Sequence, residues 1–109
     1  MNPEERELLR LLAELELELR RLGLWGGPAR APAAAAFESR TPFFLDTLEF
    51  HQWLEYVLIS RLRALVGRRE NLPRGALIAP CAEEYYRGRG AGFRRLIGLL
   101  RELDSLLKA

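Results

Sequence analysis

Arg87, Arg89, Arg94 and Arg95 stand within nine residues of one another, directly after Tyr85 and Tyr86. Guanidinium groups grip phosphate and carboxylate through a planar fork, and neighbouring aromatic rings can stack bases. This is the strongest functional signal in the chain, and it points to contact with nucleic acid or with a partner protein. A solvated helix face with its tyrosines tucked inward reads the same way, and the formal net charge is only +2. No RNA-binding signature accompanies it. Gly88, Gly90 and Gly92 interleave with the arginines ahead of a helix. Such a segment can cradle a phosphate, but it lacks a preceding strand and dinucleotide-fold spacing, so it reads as a flexible joint.

Other chemistry is thinly supplied. His51 and Glu55 lie one turn apart, enough to begin a metal or acid–base site. Zinc requires three or four ligands, and the chain has no second histidine. Cys81 follows Pro80 near a helix start, where a thiol pKa can fall, but a nucleophilic cysteine needs a base and only His51 supplies an imidazole. A small buried residue is the simpler reading of Cys81. Asp46 and Asp104, with the glutamates, make no distinctive carboxylate pair. No P-loop or serine elbow occurs. The residues therefore assign no catalytic residue, no cofactor and no metal ligand, and the expectation is a protein that is not an enzyme.

Helical segments must position these groups. Asn2, Pro3 and Glu5 form a helix start with an N-x-x-E box. Leu8, Leu12, Leu15, Leu19 and Leu22 then recur at spacings of four and three, a heptad seam. Leu9, Leu11 and Leu17 lie off that seam, which suggests cover by other helices or by a second copy in a homodimer. Gly23 stops the helix. Residues 23–41, rich in Gly, Pro and Ala, read as a long crossover loop, with one helical turn after Pro32 and with Trp25 and Phe37 pinning it to the helices.

Asp46 and Glu49 predict a D-x-x-E start for a second helix, with Leu45 and Phe50 as its hydrophobic staple. Its face is Phe50, Trp53, Leu54, Val57, Leu58, Leu62, Leu65 and Val66, with Trp53 largely buried, and Gly67 ends it. A short third helix is expected from Pro80 through Arg87. A fourth follows from about Phe93 to Leu107, facing inward with Phe93, Leu96, Ile97, Leu100, Leu103 and Leu107. Strand alternation is absent. The fold class is all-α, a four-helix bundle of two helical hairpins forming one domain over 1–109.

Composition agrees with that class. The chain has 109 residues, 49% hydrophobic and 29% charged, as soluble globular proteins do. One cysteine excludes an internal disulfide and fits a reducing compartment. The N-terminal residues are too charged for a signal peptide, and no apolar run approaches the roughly 20 residues that cross a bilayer. A cytoplasmic location without membrane contact is expected. Residues 1–59 hold 6 arginines against 10 acids, a balance of −4, whereas 60–109 hold 11 basic residues against 5 acids, a balance of +6.

The central residues carry a family resemblance. Pro42-Phe43, Asp46-Thr47-Leu48, Trp53-Leu54, Val57, Ile59, Arg61, Leu72-Pro73, Gly75, Ala79-Pro80 and Glu83 resemble the YqcC-like family of small bacterial helical proteins, over roughly 37–86. The pattern departs at Ile59-Ser60-Arg61, where Ser60 replaces an expected proline and implies a straighter second helix. The resemblance implies an all-α fold, a cytoplasmic protein and no enzymatic activity. It also implies an association with a tRNA pseudouridine synthase, whose gene often lies beside the family's, and it transfers no site residues. Two functional expectations follow. The first is a non-catalytic accessory that binds a partner protein, with that synthase as the named possibility. The second is low-specificity RNA binding through Arg87, Arg89, Arg94 and Arg95.

Overall fold

The computed structural model describes all of residues 1–109 and is helical, with no strand. Helix α1 spans Pro3–Arg21. The Asn2 side chain accepts the Glu5 amide proton at 2.8 Å, and the Glu5 carboxylate accepts that of Asn2 at 3.0 Å. This reciprocal pair satisfies two amides that a helix start leaves without partners. Leu8, Leu11, Leu12, Leu15 and Leu19 are buried along α1, each contributing roughly 1.5–3 kcal/mol of transfer free energy. Leu9 packs half-buried against the same core. Of the leucines off the seam, only Leu17 stays largely in solvent, at 60% exposure.

Helix α2 is a continuous rod over 50–67. It opens as α-helix at Phe50–Trp53, widens to a π-helix at Leu54–Ile59 and closes as α-helix at Ser60–Gly67. The expected start at Asp46 is wrong by four residues. Glu49 and Gln52 form the capping box, while the Asp46 carboxylate accepts the Ser39 hydroxyl proton at 2.5 Å. Pro42–Phe44 forms a 3-10 turn in which Phe43 and Phe44 take φ of 56° and 53°, and the extended backbone of Glu49, with ψ of 153°, sets the helix start after it. Leu45 is exposed and staples nothing. With Ser60 in place of proline the rod is unbroken, but it is not regular: the π stretch buries Leu54, Glu55, Leu58 and Ile59 together.

Helix α3 spans Ile78–Tyr85 and α4 spans Arg94–Leu106. The first starts two residues before Pro80 because a carboxylate from another helix caps it: Asp104 accepts the amide protons of Ile78 and Ala79 at 3.0 and 2.8 Å. Successive helices alternate in direction. Arg95 reaches Glu14 and Arg10 lies 3.6 Å from Glu102, so α1 and α4 run antiparallel. Arg63 meets Glu16 at 2.9 Å, tying α2 to α1. One continuous core runs through all four helices.

The crossover strap over 22–49 holds only short 3-10 turns, including the expected one at Ala34–Glu38 after Pro32. Trp25 packs against the core under the Arg20 guanidinium, 5.3 Å from its ring centroid. Phe37 is half-buried without joining that core. Trp53 is also half-buried, not largely buried as its position in the stripe suggested, with Phe43 edge-on to it at 4.8 Å. No helix is long and apolar enough to cross a membrane.

Candidate functional site

The arginine joint connects α3 to α4 at the strap end of the bundle. Gly88 and Gly90 take φ of 79° and 78°, left-handed values that a side chain would resist, and they reverse the chain within a few residues. Tyr86 closes α3 and stacks on Phe93 at 3.9 Å with 9° between ring planes. Phe50 meets Tyr85 at 5.6 Å and Tyr86 at 5.9 Å, so the rings lock α2, α3 and the joint together. The Tyr85 hydroxyl donates to the Glu49 carboxylate. Burial first, then that bond, pushes the Tyr85 phenol above its ordinary value. The Tyr86 hydroxyl is buried without a hydrogen-bond partner, and burial raises its pKa strongly. Both phenols stay neutral.

The four arginines divide among different partners. Arg87 pairs with Glu84 at 2.6 Å in open solvent. Arg89 lies over the tyrosines, 5.2 Å from the Tyr85 centroid and 5.9 Å from that of Tyr86, a cation–π arrangement. Arg95 meets Glu14 at 2.8 Å and Glu18 at 3.7 Å. Arg94 is exposed and has no ion pair. Arg94 and Arg95 line an open depression of about 710 Å³ with Arg21, Gly92 and Gly98. Arg21 is a residue that sequence reasoning missed, because α1 and α4 meet only in the tertiary fold.

His51 and Glu55 belong to a different structure. Glu55 is 5% exposed, and its two oxygens accept the amide protons of Gly26 and Gly27, each at 2.7 Å. The Tyr56 hydroxyl donates to the Gly27 carbonyl at 2.6 Å. The carboxylate that could have begun a metal or acid–base pair instead clamps the strap onto the π-helical turn. His51 is half-buried, with Nδ1 buried and unpartnered. Burial lowers its pKa, opposed by the charges of Glu49 and Glu55. The Gly26-Gly27 pair was the one available signal of this clamp, since a Cβ on Gly26 would collide with the Tyr56 hydroxyl.

Cys81 is half-buried in α3, and burial pushes its thiol pKa up. That is the reverse of the lowering its place near a helix start suggested. Asp104 spends both oxygens on the α3 amides, and Asp46 holds Ser39. No cluster of three metal-binding side chains forms.

The likeness to known proteins agrees with this architecture. The solution NMR structure of Escherichia coli YqcC superposes with a TM-score of 0.83, covering 97% of this chain and 89% of that one at 29% identity. In sequence, the E. coli K12 protein, named "Uncharacterized protein YqcC", is 37% identical over 83 residues, 76% of this chain and 73% of the relative. The tRNA pseudouridine synthase C of Pectobacterium carotovorum is 31% identical over 91 residues, which are 84% of this chain but only 24% of that protein. The model of the DUF446 family, described as "tRNA pseudouridine synthase C", matches residues 7–106. With the YqcC fold along nearly its whole length and that match, this chain belongs to the YqcC-like DUF446 family.

Proposed function

We propose that this chain is a non-catalytic accessory module that binds a tRNA pseudouridine synthase. The observation that carries the reading is the Pectobacterium protein: a stretch similar to most of this chain occupies about a quarter of a longer protein named tRNA pseudouridine synthase C. A stretch of this kind inside a protein so named is read as one that sits against a synthase, and the same role is proposed for this chain. The non-catalytic part of the reading is supported by the carboxylates that sequence offered for chemistry, since Glu55, Asp104 and Asp46 are engaged in holding the fold. The test is titration calorimetry of this chain with a purified tRNA pseudouridine synthase C, followed by assay of pseudouridine formation with and without it. A complex, and no pseudouridine formed by this chain alone, is expected. Absence of a complex rejects the reading.

A second reading is low-specificity RNA binding through Arg87, Arg89, Arg94 and Arg95. It is favoured by one feature, the exposure of Arg89 and Arg94 without a carboxylate partner. It ranks second because Arg87 and Arg95 already face glutamates.

A further inference from the structure

We propose that the synthase docks on the end of the bundle where the chain termini meet, at the cleft between the start of α1, the end of α2 and the 68–77 connection; this rests on the accessory reading above. Arg74 brings the two termini together. Its guanidinium grips the Glu4 carboxylate at 2.6 and 2.7 Å and donates to the Leu106 carbonyl at 3.4 Å. The Gly75 amide donates to the Leu107 carbonyl at 2.9 Å. The first turn of α1 and the last turn of α4 therefore sit side by side.

That closeness has a consequence for the Pectobacterium protein. Roughly three quarters of its length lies outside the stretch similar to this chain and must leave from one end of that stretch or the other. In this fold both ends emerge from the same face, so a catalytic portion placed before or after the stretch is tethered there. A tether raises the effective concentration of contacts near its attachment, which favours the face where the chain ends emerge. This chain is proposed to meet the same kind of partner with the face that the similar stretch presents there.

The surface of that face suits a protein partner. A cleft of about 780 Å³ opens between Asn2, Glu5, Arg63, Arg69 and Asn71, with Leu9, Val66 and Leu72 at its apolar wall. Met1 and Leu77 are 67% and 69% exposed, two of the four large apolar side chains left in solvent. The carboxylates in the cleft are already occupied: Glu4 by Arg74, Glu5 by the Asn2 cap, and Glu70 by Arg68 at 3.9 Å. Arg69 is exposed and makes no ion pair. The face accordingly fits an apolar contact ringed by acidic side chains of the synthase, with Arg69 as the cation they meet.

The test compares two ends of one molecule by calorimetry against the synthase. The double variant Arg69→Glu with Leu77→Ser alters the proposed face. Arg40→Glu makes the same charge reversal on the strap at the opposite end, where Arg40 is exposed and unpaired. All altered side chains are in solvent, and unchanged circular dichroism and urea midpoints verify folding. The expected result is binding weakened about tenfold or more by the double variant, corresponding to about 1.4 kcal/mol, and unchanged by Arg40→Glu. Unweakened binding by the double variant overturns the docking face and leaves the accessory reading standing. No binding by the unmutated chain removes that reading, and the docking face with it.

Discussion

Gly26 donates its amide proton to Glu55 Oε1 at 2.7 Å across 29 residues of sequence, and Gly27 repeats the contact on Oε2. One buried carboxylate thus fastens the strap to the π-helical part of α2. Removing it leaves two amides without their acceptor, and Glu55→Ala is expected to cost about 2–4 kcal/mol by urea denaturation, from the typical worth of charge-assisted hydrogen bonds. Glu55→Gln keeps one acceptor oxygen and should lose less. Hydrogen exchange at the two glycine amides should accelerate in both variants; unchanged protection would count against the clamp.

Gly26→Ala tests the same junction by crowding. The added methyl meets the Tyr56 hydroxyl, and overpacking of this kind costs about 1–3 kcal/mol. Tyr56→Phe removes the obstructing oxygen together with its bond to Gly27. The double variant should therefore lose less than the sum of the two single ones. Strict additivity in that cycle argues against the contact.

Arg69 takes a φ of 56°, is exposed and has no ion pair. Left-handed backbone is costly for any residue with a Cβ, whereas glycine adopts it freely but loses more entropy on folding. Arg69→Gly is expected to stabilise the chain by about 0.5 kcal/mol, the small balance of those opposing effects. A loss of stability in the thermal midpoint contradicts this.

Glu18 is 2% exposed and meets Arg21 at 2.5 Å. The Arg21 hydrogen bond, helped by the charges of Arg21 and Arg95 and opposed by burial, holds its carboxyl below the ordinary range. A depressed folded value means stability that is present above the unfolded pKa, about 4.3, and lost as pH falls through the folded one. Glu18→Gln should cost about 1–2 kcal/mol at neutral pH and flatten the decline in urea midpoint below pH 4.5 or so. An equally steep acid limb in the variant rejects the assignment.

The two functional readings separate by salt. If the arginine joint binds RNA, neutralising Arg87, Arg89, Arg94 and Arg95 weakens binding to every sequence alike. Each lost phosphate contact then removes roughly 0.7 from the log–log salt slope on single strands. The accessory reading expects little RNA affinity from the unmutated chain at physiological salt. Filter binding across a salt series decides, and tight, salt-sensitive binding favours the RNA reading.

Local chemistry made much of the fold legible. The Asn2–Glu5 box, the leucine periodicity of α1 and the glycine stops act within a few residues, and α1 came out as its sequence reads. The all-α bundle follows from apolar stripes that need covering. The failures lie where distant residues compete for the same group. Asp46 looked like a helix cap but bonds to Ser39, Pro80 looked like a helix start but Asp104 caps two residues earlier, and Trp53, though packed against Phe43 and Phe50, stays half-buried. His51 and Glu55 looked like the beginning of a site until the strap arrived to use the carboxylate. Of the arginines at the joint, Arg87 pairs locally with Glu84, whereas the pairing of Arg95 with Glu14 depended on α1 lying against α4. Sequence by itself determined that the chain is helical and set the local pairs one turn apart, such as Glu5 with Asn2 and Arg20 with Glu16, because capping, periodicity and neighbouring charges are short-range; the tertiary structure decided where α2 and α3 begin and what Glu55, Asp104 and Arg95 hold, because a buried or bridging group bonds to whatever the packing brings within about 3 Å.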